Sequence, residues 1–241
     1  MDDGPATLED AFELARATVE DGTSDVLATP HVREVDVEEL PERVEDLDRR
    51  LAQEGIPLRV HCGGELDPDD VVRLEPRQLE LIAAGPPERR WLLLEAPLSG
   101  PADGLEPAAE QLREWGYSVV IAHPERSPGL EELGTPAVLG RELGKGSRVQ
   151  LNATSVVGDH GEDSRRCAAE LVRLGLASVV ASDAHRLARG PALTRAFGEL
   201  ARSFSAETAR ALVDTGPREL LVRGLARPLD RGGEAVQPEA T

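Results

Sequence analysis

Short apolar segments recur along this chain about every 30 residues, and segments with helical periodicity separate them. This spacing is that of one strand followed by one helix. Continuous apolar strands joined by helices predict a parallel sheet that is covered on both faces. The six predicted strand segments are SDVLATP (24–30), IPLRVHCGG (56–64), RRWLLLEAP (89–97), YSVVIAHP (117–124), SRVQLNAT (147–154) and ASVVASDA (177–184).

Six such units, with no linker rich in Pro, Gly or Ser, predict a single α/β domain over residues 1–225, closed as a TIM-like barrel. An open doubly wound sheet is the alternative. The array begins with a helical pattern at residues 7–22 rather than with a strand, which should leave one sheet edge unpaired. The composition of residues 226–241 predicts a disordered C-terminal tail.

The charge and the apolar pattern exclude several classes of function. Asp and Glu number 45 against 27 Lys and Arg, a formal charge of −18, which argues against a nucleic-acid partner. No apolar run approaches the roughly 20 residues of a membrane span, and the acidic N-terminus lacks the basic region of a signal peptide. We therefore expect a cytoplasmic protein. Cys62 and Cys167 are far apart and lack the glycine-rich context of a catalytic thiolate.

Side chains that can bind metals follow nearly every predicted strand. The carboxyl ends of the strands in an α/β barrel open onto one face, where active sites are built. Any one of these side chains could be a helix cap, but their joint placement predicts a metal site with ligands suited to Zn, Mn or Fe. The candidates are His31, Glu65, Glu95, His123, Asp183 and His185. His61 lies inside a strand and is predicted to be structural, and His160, in a polar loop, to be solvent-exposed.

The segments ATPH (28–31), HPER (123–126) and SDAH (182–185) resemble the bacterial manganese-dependent protein-tyrosine phosphatases of capsular and exopolysaccharide synthesis. These enzymes belong to the PHP (polymerase and histidinol phosphatase) superfamily. The segments DDG, GGE and LNATS lie in the matching order, so the resemblance runs from Asp2 to about Leu221. It implies a distorted (β/α)7 barrel that holds up to three divalent ions, namely Mn²⁺, with Zn²⁺, Fe²⁺ or Mg²⁺ as alternatives.

The resemblance also implies roles for individual residues. Seven residues fall on the ligand positions of the family, with Glu65 as the bridging carboxylate: Asp3, His31, Glu65, Glu95, His123, Asp183 and His185. Arg126 falls on the arginine that contacts the substrate phosphate, and Arg189 is a candidate second contact. Family members begin with a strand ending in His-x-His, whereas this sequence starts at MDDG. We expect either an upstream start codon or a shortened, impaired protein.

The expected activity is hydrolysis of a phosphoric monoester by metal-activated water. The expected substrate is a phosphotyrosine protein, with a tyrosine kinase of polysaccharide synthesis as the candidate. Two alternatives stay open. One is a PHP phosphatase that acts on a small metabolite of the histidinol-phosphate type. The other is a metal-binding regulator that has lost catalysis.

Overall fold

A computed structural model describes residues 4–188 and 190–226. Within these residues there are seven strands: β1 Asp25–Ala28, β2 Arg59–Cys62, β3 Glu65–Leu66, β4 Trp91–Glu95, β5 Ser118–Ala122, β6 Arg148–Asn152 and β7 Val179–Ala181. The helices are α1 Leu8–Glu20, α2 Leu40–Gln53, α3 Pro76–Ile82, α4 Leu105–Glu114, α5 Pro128–Leu133, α6 Thr135–Gly144, α7 Ala153–Val157, α8 Glu162–Arg173, α9 Leu193–Ser203, α10 Ala206–Arg210 and α11 Gly216–Arg223. A π-helical segment, Ala211–Thr215, joins α10 to α11.

Every strand pair in the described residues is parallel, and the strands follow one another in sequence order. β1 pairs with β2, and a second ladder runs β3-β4-β5-β6-β7. The two ladders meet at an isolated parallel bridge between His31 and Glu65, where the Glu65 N–H donates to the Pro30 carbonyl at 3.0 Å. The prediction of a parallel α/β fold is therefore confirmed.

All six predicted strand segments contain a strand, while the two-residue strand β3 was not predicted. In the part of the chain that the structure describes, β1 pairs only with β2 and β7 only with β6. Ladder hydrogen bonds between these residues therefore do not close the sheet. The predicted tail at 226–241 lies outside the described residues, apart from the exposed Ala226.

The central strands are buried on both faces, as expected for a parallel sheet covered by helices. All five residues of β5 are buried, as are all residues of β4 except Leu93, which is half-buried. Leu92 and Ile121 have no exposed surface and pack in the main core between the sheet and its helices. This core fixes the directions of β4 and β5, and hence the positions of the residues that end them.

The C-terminal part of the described chain covers the amino ends of β4 and β5. The Trp91 Nε1–H donates to the Leu220 carbonyl at 3.1 Å, and the Ser118 hydroxyl donates to the Leu225 carbonyl at 3.0 Å. The Leu225 N–H in turn donates to the Arg89 carbonyl at 3.0 Å. We call α11 and Leu225 the floor of the fold. The carboxyl ends of the strands, where the candidate ligands lie, are at the opposite side of the sheet.

Helix α1, within the helical pattern predicted at residues 7–22, begins with a capping box. The Asp10 N–H donates to the Thr7 hydroxyl and the Thr7 N–H donates to the Asp10 carboxylate, at 3.1 and 3.0 Å. At the other end of α1, the Asp21 carboxylate accepts the Leu193 N–H at 2.7 Å, which ties α1 to the start of α9. Among the described helices, none is both long enough and apolar enough to cross a membrane.

Candidate metal centre

Four of the predicted ligands meet at the carboxyl ends of β1, β4 and β5 and at the start of β3, which follows the end of β2. His123 Nε2 lies 3.1 Å from Glu65 Oε1 and 3.8 Å from Glu95 Oε1. On the other side, His31 Nδ1 lies 3.6 Å from Glu65 Oε2. One ligand atom from each of Glu65, Glu95 and His123 lies within 4.8 Å of the other two, and all three residues are buried. Glu65 is the centre of this group.

Two glycines allow the strand ends to come this close. Gly63 and Gly64 separate β2 from β3 and directly precede Glu65. A Cβ at Gly63 would lie 2.9 Å from the Leu27 side chain, and a Cβ at Gly64 would lie 2.9 Å from Val32. Contacts that short do not occur between real side chains, so larger residues here would push the chain away from β1. The glycine pair therefore places Glu65 beside His31.

Two of the candidate ligands have a strained backbone. His123 has a φ of 32° and Asp183 a φ of 48°, and they are the two non-glycine residues with positive φ in the described chain. A non-glycine residue in this region costs of order 1–3 kcal/mol and persists where its surroundings fix it. Such strain is concentrated at functional sites, so the backbone marks the same positions as the side-chain chemistry.

Asp183 and His185 form a second group, together with Arg126. Arg126 Nη1 donates to Asp183 Oδ2 at 3.3 Å, and the Asn152 amide donates to the same oxygen at 2.6 Å. His185 Nδ1 lies 2.8 Å from the Asp183 carbonyl, a distance that fits an Nδ1–H donor. That tautomer leaves Nε2 with the lone pair that a metal requires. Arg126 lies in the turn that follows His123, so the chain itself links this second group to the first.

Burial and charge shift two pKa values in the first group. Burial, reinforced by the charge of Glu65, raises the pKa of Glu95 above the usual range of a glutamate. Burial disfavours a charged His123, but the hydrogen bond to Glu65 and the charge of that carboxylate raise its pKa overall. Two buried carboxylates side by side are an unfavourable arrangement that a cation would relieve.

The residues present fit a divalent metal ion. Carboxylate oxygen and imidazole nitrogen together suit Zn, Mn or Fe. His31 Nδ1, which faces Glu65 Oε2 at 3.6 Å, is buried and has no hydrogen-bond partner among the described residues. Buried polar atoms are seldom left without a partner, so an ion is a reasonable occupant for a site with this donor set.

The remaining predictions have mixed outcomes. Asp3 and Arg189 lie outside the described residues. His61 Nε2 lies 3.1 Å from Asp25 Oδ1 and does not belong to the cluster of ligands. The prediction that His160 is solvent-exposed is wrong: it is half-buried, and its Nδ1 lies 3.1 Å from the Ser155 hydroxyl. Helix α7 follows β6 directly and brings that hydroxyl to the histidine.

Sequence reasoning assigned no role to three buried polar residues beside the site: Glu125, Gln150 and Asn152. Asn152 ends β6, as the candidate ligands end the other strands, and it is the one asparagine in the sequence. Its position at the end of a strand was the feature of the sequence that could have identified it as a site residue. Asparagine is an uncommon metal ligand, so its residue type alone does not predict a role at this site.

The fold is a parallel α/β sheet that brings two carboxylates and a histidine together as a candidate metal site. The chain belongs to the CpsB/CapC family of capsular polysaccharide synthesis, whose model matches residues 1–222.

Individual relatives agree with this assignment. The tyrosine-protein phosphatase YwqE of Bacillus subtilis is 31% identical over 228 residues, which cover 92% of this chain and 87% of the relative. The tyrosine-protein phosphatase CpsB of Streptococcus pneumoniae is 25% identical over 238 residues, covering 92% and 94%. A chain from the crystal structures of YwqE and CpsB, described as unique metal-dependent tyrosine phosphatases, superposes with a TM-score of 0.78. It is 30% identical, and the match covers 96% of both chains.

Proposed function

We propose that this protein is a metal-dependent protein-tyrosine phosphatase of the CpsB/CapC family. The observation that carries the proposal is the buried cluster of Glu65, Glu95 and His123, with His31 beside Glu65 and Arg126 in the turn that His123 begins. The names of the relatives support the choice of phosphotyrosine.

We assign the metal ligands to the two groups of residues at the strand ends. The first group supplies two carboxylates and two imidazoles, and the second supplies Asp183 and His185. Asp3 is a further proposed ligand, and Arg189 a further phosphate contact. We propose manganese as the ion. When bound, such an ion polarises the phosphoryl oxygens and lowers the pKa of a coordinated water.

Arg126 is the proposed phosphate-binding residue. Its side chain is 19% exposed and lies at the edge of the site, where Nη1 donates to Asp183. The guanidinium can hold two equatorial oxygens of a phosphoryl group with parallel N–H donors, which a lysine ammonium cannot reproduce. The developing negative charge on those oxygens would strengthen the hydrogen bonds in the transition state.

We expect Arg126→Lys to lower kcat by about 10- to 100-fold, because one charge-assisted hydrogen bond worth about 1.5–3 kcal/mol is lost. The Mn²⁺ content per chain should stay unchanged. Steady-state kinetics together with metal analysis would check this. Arg166→Lys, on the exposed face of α8, is the matched control and should retain full activity. A kcat within twofold of wild type for Arg126→Lys would show that Arg126 does not hold the phosphate as proposed.

The two thiols do not offer an alternative nucleophile. Burial raises the pKa of Cys167 to about 11, and burial also raises the pKa of Cys62. A catalytic thiolate requires the opposite shift, which comes from nearby positive charge or a helix N-terminus. Both cysteines are free thiols and stand apart from the proposed ligands. These observations favour a hydrolytic route that depends on metal.

We further propose that the strands form a distorted (β/α)7 barrel of the PHP type. Leu27 of β1 and Leu93 of β4 pack with Val120 of β5 and Val179 of β7 in one cluster above the floor. Side chains from strands that are far apart in the strand order of the sheet can meet in this way when the sheet curves around them.

We also propose that the protein is cytoplasmic. Its two free thiols suit the reducing conditions of that compartment.

The proposed function is tested by comparing three substrates with the full chain: a phosphotyrosyl peptide, the matching phosphoseryl peptide and histidinol phosphate. We expect Mn²⁺-dependent hydrolysis that prefers phosphotyrosine, stops with a chelator and returns when Mn²⁺ is restored. A strong preference for histidinol phosphate would instead assign a small-metabolite phosphatase. Stoichiometric Mn²⁺ binding without turnover on any of the three would indicate a regulator.

A further inference from the structure

Asn152 is a buried polar residue whose amide orientation is fixed from both ends. Its side chain has no exposed surface, and Nδ2 donates to Asp183 Oδ2 at 2.6 Å. A carboxylate can only accept, so the amide nitrogen must face Asp183. At the other end, Gln150 Nε2 donates to Asn152 Oδ1 at 2.8 Å. The amide therefore has a single orientation that satisfies both neighbours.

The backbone of Asn152 is held as well. Its N–H donates to Glu125 Oε1 at 3.0 Å, and Glu125 lies in the turn after β5, between His123 and Arg126. Arg126 from the same turn donates to Asp183 Oδ2. These contacts form a closed circuit that links the ends of β5, β6 and β7 and consists of Glu125, Asn152, Asp183 and Arg126.

This circuit explains how Asp183 keeps its strained backbone. A positive φ at a non-glycine residue persists when the surrounding structure determines it more than once. Asp183 meets that condition, because two separate donors, from Asn152 and Arg126, converge on one of its carboxylate oxygens. The Asn152 contact is much the shorter and comes from a side chain that cannot move into solvent.

We propose that Asn152 is a positioning residue that orients the Asp183 carboxylate toward a divalent cation, with Gln150 holding the Asn152 amide. The inference rests on the proposed function, because it takes Asp183 to be a metal ligand. A neutral amide suits this task, since it fixes the carboxylate without neutralising it, whereas an aspartate at 152 would place a like charge beside it. Such outer partners commonly contribute a factor of 10–100 to metal affinity.

The test measures Mn²⁺ affinity by calorimetry on the chelator-stripped full chain. We expect Asn152→Ala to weaken Mn²⁺ binding by about 10- to 100-fold. Saturating Mn²⁺ should then restore much of the turnover, which a general folding defect would not allow. Ser118→Ala is the matched control, since Ser118 is 2% exposed and donates one buried hydrogen bond at the floor. It should lower Tm by a similar amount and leave Mn²⁺ affinity unchanged.

The outcomes of this test separate the inference about Asn152 from the proposed function. Unchanged Mn²⁺ affinity in folded Asn152→Ala overturns the inference and leaves the proposed function intact. A wild-type chain that binds no Mn²⁺ overturns both. If Asn152→Ala does not fold, Asn152→Leu gives the answer, because leucine has the same branched shape and no amide donor for Asp183. Weaker Mn²⁺ binding by folded Asn152→Leu supports the inference, and wild-type affinity overturns it.

Discussion

Replacing Glu65 with glutamine should abolish metal-dependent hydrolysis, lowering kcat/KM by about 10³-fold or more. Glu65 lies between His31 and His123, so the proposed metal site is built around its two oxygens. Glutamine keeps the size of the side chain but loses the charge and one of the two ligand oxygens. Loss of a metal ion that supplies several kcal/mol of transition-state stabilisation corresponds to a rate loss of about this size. Stripping the metal with a chelator should cause a similar loss.

The measurement is kcat/KM on a phosphotyrosyl peptide, together with Mn²⁺ content per chain. Glu80→Gln is the matched control: Glu80 is 52% exposed on its side chain, pairs with Arg90 and lies outside the cluster of ligands. It should keep the activity and metal content of the wild type. Glu65→Gln with full metal content and turnover would show that the cluster is not the hydrolytic site.

Replacing Arg113 with alanine should cost about 3–5 kcal/mol of the free energy of unfolding. Arg113 on α4 donates to both oxygens of Glu142 on α6, at 2.7 and 3.2 Å. The Glu142 side chain has no exposed surface, and that of Arg113 is only 11% exposed. Removing the arginine would leave the buried carboxylate with the Ser147 hydroxyl and with Lys145, whose ammonium lies 3.3 Å away on a side chain that is 43% exposed. The large cost comes from losing both guanidinium hydrogen bonds to a buried charge that this exposed lysine compensates only in part.

The same two helices provide a control with the same chemistry at the surface. Arg141 on α6 donates to both oxygens of Glu106 on α4, but its side chain is 54% exposed. Arg141→Ala should therefore cost much less stability than Arg113→Ala. Urea unfolding of both variants would measure the difference between them. Equal losses would mean that burial of Glu142 is not what makes the Arg113 contact important.

Much of the candidate site could be predicted from the sequence, for a simple geometric reason. Side chains that end parallel strands lie along one edge of the sheet whatever their separation in sequence. His31, Glu95 and His123 each follow an apolar run that is unmistakable in the sequence. The convergence of these three residues could therefore be predicted without knowing how the side chains pack.

Features that depend on packing could not be predicted in this way. Strand β3 has two residues, too short for any periodicity, and it follows Gly63 and Gly64, where an added Cβ would lie 2.9 Å from Leu27 and from Val32. The contact between Asn152 and Asp183 depends on the stagger of β6 and β7, which the sequence pattern leaves open. The exposure of His160 was predicted wrongly, because the polar sequence around it does not show that α7 places the Ser155 hydroxyl next to the imidazole.

The floor of the fold has a practical consequence for the design of shortened proteins. The family match ends at residue 222, but both backbone groups of Leu225 are hydrogen-bonded to residues at the start of β4 and β5. Leu225 is also buried against the cluster that contains Trp91. A cut placed at the end of the family match would expose that apolar cluster to water and leave the Arg89 carbonyl and the Ser118 hydroxyl without these partners. A shortened protein that ends at Ala226 would keep these hydrogen bonds and the floor of the fold.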